Sequence, residues 1–281
     1  MIVASKRDVF VRKTVLYILI ISLTAMLLFP FLWMLSTSVK PATDIFSRTP
    51  RFIPQTFTLE HYRGLWTETQ FPVFFKNSVI VALSTTLVTL GVGTFFAYGL
   101  SRFRFKGRRN FITLLFLSQM FPLVLLIIPI YLVFINFGLV NTHLSLVISY
   151  CTFALPFSTL MLKSYFDGLP AELEEAALMD GCGPIGAIFR IVLPLGAPGI
   201  AAVGAFAFIL SWQEFIFALT LTNTNEMRTL PVGISMMVGF REVLWGQLMA
   251  ASVMVTLPVV ILFVYFQKYL VSGMTMGSVK G

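Results

Sequence analysis

The chain has 281 residues, of which 57% are hydrophobic and only 11% charged, with a mean hydropathy of +0.89. A soluble domain carries about 25% charged residues, so this chain lacks the polar groups to cover itself in water and must present its apolar surface to lipid. Its net charge of +8 does not indicate nucleic acid, because the basic residues fall in short bursts between apolar runs, as membrane orientation signals do.

Six apolar stretches are long enough to cross about 30 Å of hydrocarbon as helices. In chain order they lie near 14–36, 78–100, 111–135, 144–163, 197–222 and 245–268. The first follows Lys6, Arg7, Arg12 and Lys13; its length and the lack of a small-residue cleavage site make it an uncleaved helix rather than a signal peptide. A loop near 37–77 comes next, with Pro41, Pro50 and Pro54, and with Thr58 placed to cap a short helix. That loop is either a solvated connector or a docking surface. After the second stretch come Arg102, Arg104, Lys106, Arg108 and Arg109 with no acid among them. Lys163, Arg190, Lys268 and Lys280 fall on the same side as that cluster and the amino-terminal stub. The remaining basic residues, Lys40, Arg48, Arg51, Arg63, Lys76, Arg228 and Arg241, are spread over the other side. The positive-inside rule therefore places both termini in the cytoplasm of a multi-pass cell-membrane protein. In the third stretch Pro122 and Pro129, and in the fourth Pro156, predict kinks that free carbonyls.

The loop 164–196 carries the strongest pattern. Pro170 suits the first position of a helix, and Glu172, Glu174 and Glu175 lie in early turns where the helix dipole favours negative charge. Gly181 suits a left-handed carboxyl-terminal cap. Gly183-Pro184 starts a second short helix with Ile185, Ile188, Phe189 and Val192 on one side, closed by Pro194. The result is a helix–turn–helix outside the membrane. Leu173, Ala176 and Ala177 form a narrow stripe of the kind a docking partner can approach closely, with acids beside it for charge-assisted contacts. An interfacial helix would be rich in lysine and arginine, and this one is acidic.

Glu175-Ala176-Ala177, then Gly181 three residues on, then Ile191 and Leu193-Pro194, resembles the EAA loop of binding-protein-dependent ABC importer permeases. Phe75-Lys76-Asn77-Ser78, Ala97-Tyr98-Gly99-Leu100-Ser101-Arg102-Phe103, Phe105-Lys106-Gly107-Arg108 and Trp212-Gln213-Glu214-Phe215 are similar to landmarks of the carbohydrate-uptake branch. Gln213 departs from the asparagine that many relatives carry. The tail Gly273-Met274-Thr275-Met276-Gly277-Ser278-Val279-Lys280-Gly281 looks like the end of maltose- and trehalose-type second permeases.

The resemblance implies an all-α type I importer permease with six transmembrane helices and a cytoplasmic coupling loop. It divides as 1–70 (stub, first helix, external loop), 71–270 (transmembrane core) and 271–281 (cytoplasmic tail). It implies that Glu172, Glu175, Ala176, Ala177, Asp180, Gly181, Ile191, Leu193 and Pro194 couple to an ATPase subunit, and that Gly277, Val279 and Lys280 contact it from the tail. The implied partners are a second homologous permease subunit, two ATPase subunits that bind ATP and magnesium, an external solute-binding protein, a sugar and membrane lipid. No cofactor is expected in this chain, which has no GxxxxGK[ST] phosphate loop and is not an enzyme by itself.

Polar residues inside spans are costly and usually face a cavity or a partner, which marks Glu214, beside Trp212 and Gln213, in the outer half of the fifth stretch. Glu214 either lines the pathway or makes a structural helix–helix hydrogen bond. Gln119, Tyr150, Thr152 and Ser158 are further pathway candidates. Cys151 and Cys182 give no disulfide or metal spacing, and His61 and His143 no metal site. An ion-coupled transporter would show paired membrane acids or two related halves, and a membrane enzyme a convergent nucleophile or acid–base pair; neither is present. A peptide or phosphate permease would share the loop and differ only in cargo.

Overall fold

A computed structural model describes residues 6–47, 49, 51–238 and 243–275. Among the described residues the regular structure is helical, and they fall into two compact units, one drawn from 6–69 and 237–255 and the other from 70–236 and 256–275.

In the first unit, α1 (Lys6–Ser38) is apolar on every side, and its most apolar stretch buries nothing within the chain. That is the signature of a helix whose solvent is lipid or another subunit. Below it, α2 (Ala42–Ile45) and α3 (Glu60–Thr67) form a small folded cap. The Thr58 hydroxyl accepts the Glu60 N–H at 3.1 Å, one residue outside the N-cap position of α3, which Leu59 occupies. His61 Nε2 is 2.8 Å from the Lys40 carbonyl and the Tyr62 hydroxyl 2.7 Å from Ser38 Oγ, which hold α3 to the end of α1. The Lys40 ammonium lies 4.6 Å over the Trp33 ring; burial lowers its pKa, with Asp44 opposing.

The second unit is built on α4 (Phe71–Arg102), α7 (His143–Asp167) and α10 (Leu193–Gln213), which pack on one another. Lipid exerts no hydrophobic pressure between helices, so close backbone approach has to supply the packing. Small residues do this along α10: a Cβ on Gly196 would lie 2.7 Å from a Phe166 ring carbon, and one on Gly199 2.5 Å from the Tyr165 ring.

Between α4 and α7 the structure corrects the expected third span. In place of one kinked helix there are α5 (Arg108–Met120), a 3₁₀ turn (Leu123–Leu126) and α6 (Ile127–Asn136). The halves are bent by 95°. Pro122 is the cause: it lacks an N–H and drives the preceding residue from the helical region, and Phe121 is extended at φ −78°, ψ 126°. Pro129 sits in the first turn of α6, where a missing N–H costs nothing. Five described helices are long and apolar enough to cross a membrane, or six with the bent pair taken as one span.

After α7 come α8 (Glu172–Met179), α9 (Pro184–Ala187), a π turn (Ile188–Val192) and α10. Here a second expectation is corrected. Pro194 does not end a helix; α9, the π turn and α10 run on as one rod over Pro184–Gln213. A π turn places the carbonyl register one residue out, which relieves the clash between a proline ring and the carbonyl four residues back. The rod stops at Glu214, followed by α11 (Ile216–Leu221) and α12 (Leu230–Met237). The fifth span is thus shifted and broken compared with 197–222. The last helix, α13 (Trp245–Thr275), is continuous through Pro258.

Candidate functional site

The loop after α7 is shaped by its own sequence. Ala171 supplies the first carbonyl of α8, accepting from the Glu174 and Glu175 N–H groups at 3.0 and 3.1 Å. The helix therefore starts at Glu172, leaving Pro170 just outside it rather than at its first position. At the other end the Cys182 N–H donates to the Ala177 carbonyl at 3.0 Å and the Gly181 N–H to the Leu178 carbonyl at 3.1 Å. This double closure is a Schellman cap. It requires the left-handed backbone found at Gly181, φ +85°, and Pro184 then opens α9 as expected.

The faces of α8 sort cleanly. Glu172, Leu173, Glu175, Ala176, Met179 and Asp180 are exposed, with Met179 at 88%. Glu174 and Ala177, one turn apart, are buried. The expected small-residue stripe is therefore divided: Ala176 and Leu173 face out, and Ala177 packs inside its own chain. Of the second helix, Ile188 and Val192 join a core with Ala97, Tyr98, Leu162, Phe166 and Val203. Ile185 and Phe189 are exposed, so the four do not share one buried side. Ile191 and Leu193 are half-buried and Pro194 exposed. Gly277, Val279 and Lys280 lie outside the described residues.

Glu174 is the chemical centre of the loop. Its Oε1 accepts from Arg102 Nε at 2.6 Å and lies 2.6 Å from Arg102 Nη2; its Oε2 accepts from the Tyr98 hydroxyl at 3.1 Å. Arg102 Nη2 also donates to the Leu169 carbonyl at 3.2 Å. Next to it the Ser101 hydroxyl donates to Asp167 Oδ1 at 2.7 Å, and Asp167 pairs with Lys163. Both members of the Arg102–Glu174 pair are largely buried, and removing one partner of such a pair costs about 3–5 kcal/mol. Sequence reasoning treated Arg102 as an orientation charge and Glu174 as one acid among three. The signal present was that Arg102 lies in one recognised motif and Glu174 directly precedes another, but their pairing spans 72 residues.

The membrane candidates are less gathered. Glu214 is not in the outer half of a continuous span but at the break after α10. Its carboxylate accepts the Phe217 N–H at 2.8 Å and the Ala218 N–H at 3.1 Å, satisfying the open donors at the start of α11. Tyr150 is wholly buried with its hydroxyl toward Glu214, although it lacks a partner of good hydrogen-bond geometry among the described residues. Trp212 is buried, stacked on Phe208 at 5.4 Å and met edge-on by Phe75 at 5.8 Å. Gln213 is exposed. Gln119 on α5 donates to the Phe153 carbonyl at 3.3 Å, the exposed Thr152 bonds back to Ile148, and Ser158 is buried. The structure thus brings Tyr150 and Glu214 together, and Gln119 reaches α7 one turn further on, at Phe153.

These features define a multi-pass helical membrane protein that carries a capped helix–turn–helix at one end of its helix core. The profile of a family described as "Binding-protein-dependent transport system inner membrane component" matches residues 89–276, and the chain belongs to that family. It is a permease subunit of ABC importers and not itself the catalyst of ATP hydrolysis. It is 39% identical over 256 residues to the inner membrane ABC transporter permease protein YcjP of Escherichia coli, covering 90% of this chain and 91% of that one. With the trehalose/maltose transport system permease protein MalG of Thermococcus litoralis it is 38% identical over 283 residues, covering 98% and 99%. With the trehalose transport system permease protein SugB of Mycobacterium tuberculosis it is 35% identical over 257 residues, covering 90% and 93%. Its fold matches a chain in the crystal structure of a bacterial ABC transporter that imports the acidic polysaccharide alginate. The TM-score there is 0.83 at 22% identity, with 96% and 99% of the two chains covered.

Proposed function

We propose that this chain is one of two homologous permease subunits of a sugar importer and that α8 is the element through which two cytoplasmic ATPase subunits act on it. In this reading the ATPases bind ATP and magnesium, an external binding protein delivers the sugar, and both termini of this chain face the cytoplasm. The sugar cargo is supported by the named cargo of relatives such as the trehalose/maltose and trehalose permeases.

The observation that carries the coupling role is the division of α8. One face is fixed inward by Glu174 and Ala177, and the other offers Glu172, Leu173, Glu175, Ala176 and Met179 to a partner. A short helix that stabilised only its own chain would not expose Leu173, Leu178 and Met179 beside acids. A protein groove that takes the apolar side chains and pairs with the acids suits this surface. The test compares two tryptophan variants. Ala176→Trp should lower co-purification of the ATPase subunits while the permease remains folded. Ala177→Trp should instead destabilise the loop by about 1–3 kcal/mol through overpacking, seen as a lower unfolding temperature in detergent. Full ATPase binding and full hydrolysis in the Ala176→Trp complex would remove α8 as the docking element.

A further inference from the structure

The helix α8 is only eight residues long and hangs between two soft joints. Its link to α7 is the non-helical stretch 168–171, and its link to α9 is the turn through Gly181 and Gly183. Neither joint carries helical hydrogen bonding across it, so a force applied to α8 would be absorbed by hinging unless side chains tie it down. Of the two residues of α8 that are buried, Ala177 offers a methyl group and Glu174 a carboxylate. The carboxylate meets Arg102 and Tyr98, both on the last turns of α4. The same guanidinium holds the Leu169 carbonyl, at the end of α7's exit. One planar side chain therefore touches the end of α4, the link after α7 and α8 itself.

We infer that Arg102 is a positioning residue that makes α8 move as one body with the ends of α4 and α7, so that displacement of α8 reaches the spans instead of being lost in the 168–171 link. This rests on the reading of α8 as the ATPase-docking helix. The guanidinium suits the task because its donors point in fixed directions in one plane and can hold a carboxylate and a carbonyl together. A lysine would keep the charge but, as a single rotating point, could not hold both at fixed angles. Glu174 also cannot swing out at little cost, since its two oxygens are committed to different partners.

The experiment uses the complete transporter in proteoliposomes with its binding protein. The probe sugar is whichever of trehalose, maltose and diacetylchitobiose stimulates ATP hydrolysis in the unaltered complex. Sugar taken up per ATP hydrolysed is measured for Arg102→Gln, Arg102→Lys, Glu174→Gln and Tyr98→Phe. Assembly is measured separately as ATPase co-purification. The expected result is unchanged ATPase co-purification with an uptake-to-hydrolysis ratio about tenfold lower in Arg102→Gln and Glu174→Gln, within the range for residues along a coupling network. Arg102→Lys should be intermediate and Tyr98→Phe mildest. If Arg102→Gln does not accumulate, Glu174→Gln, which keeps the side-chain shape, decides alone. An unchanged ratio in Glu174→Gln overturns the inference, and so does loss of the ATPase from that complex, which would make the pair a docking element. Failure of the docking reading itself shows differently, as full ATPase binding in Ala176→Trp.

Discussion

Gly181 and Glu214 show two ways in which a single residue sets local structure here. At Gly181 the demand is on the backbone: an added Cβ would meet nothing within 4 Å, yet φ is +85°. Left-handed backbone costs an L-residue about 1–2 kcal/mol, and a β-branched side chain is the worst choice. Gly181→Val should therefore loosen the Schellman cap and lower both ATPase co-purification and sugar-stimulated hydrolysis, with the spans still inserted. Unaltered coupling in that variant would mean the turn tolerates another shape. At Glu214 the demand is on the side chain, whose two oxygens each hold one N–H of α11. Glu214→Leu leaves those donors open, and losing a cap costs about 0.5–2 kcal/mol. Glu214→Gln keeps one acceptor and should cost less. Thermal unfolding in detergent checks this ordering; if leucine proves as stable as glutamate, the capping role is wrong and a pathway role for the carboxylate regains force.

Among the elements, those governed by local rules were legible in the sequence and those governed by distant contacts were not. The cap at Gly181, the acidic first turn of α8, the start of α9 at Pro184 and the Thr58 bond to the first residue of α3 all depend on neighbours within a few residues. The break at Pro122 was visible only as a kink, because hydropathy carries through 111–135 whether the helix bends a little or by 95°. Pro194 misled for the opposite reason: a π turn just before it lets the rod continue, and nothing in the spacing announces a π turn. Glu214 had two open readings, a pathway lining or a helix–helix hydrogen bond, and its capping of α11 is neither; an acid in an apolar run looks the same in all three. The Arg102–Glu174 pair depends on how α4 meets the loop, which no periodicity encodes. Packing between α7 and α10 is of this distant kind as well. Gly199→Leu should force the two helices apart at the Tyr165 ring, at a cost of about 1–3 kcal/mol for overpacking. Thermal stability measures that cost, and adding Tyr165→Ala should recover part of it. If the double variant is no more stable than Gly199→Leu alone, the close approach is not what the glycine provides.

At the scale of the whole molecule the proposed orientation puts the α8 end of the helix core in the cytoplasm, and two features support it. The first is charge. At the end of α4, Arg102 is neutralised by Glu174 and Arg108 donates to the Leu100 carbonyl at 2.7 Å, capping that helix. Arg104 and Lys106 remain exposed in the short loop that follows, and Arg109 in the first turn of α5. Three exposed cations in so short a stretch resist translocation strongly under the positive-inside rule. The second feature is α8, which is tied to this same end of α4 through Glu174 and which, under the proposed docking role, acts only where ATP is present. Reporter fusions after Gly107 and after Gly183 should therefore both read cytoplasmic, and one after Gln55, between α2 and α3, should read external. Replacing Arg104, Lys106 and Arg109 together with alanine should raise the fraction of wrongly inserted chains, while Arg102→Gln should change insertion far less because its charge is already paired. External signals from both loop fusions would reverse the topology and take the ATPase-docking role of α8 with it.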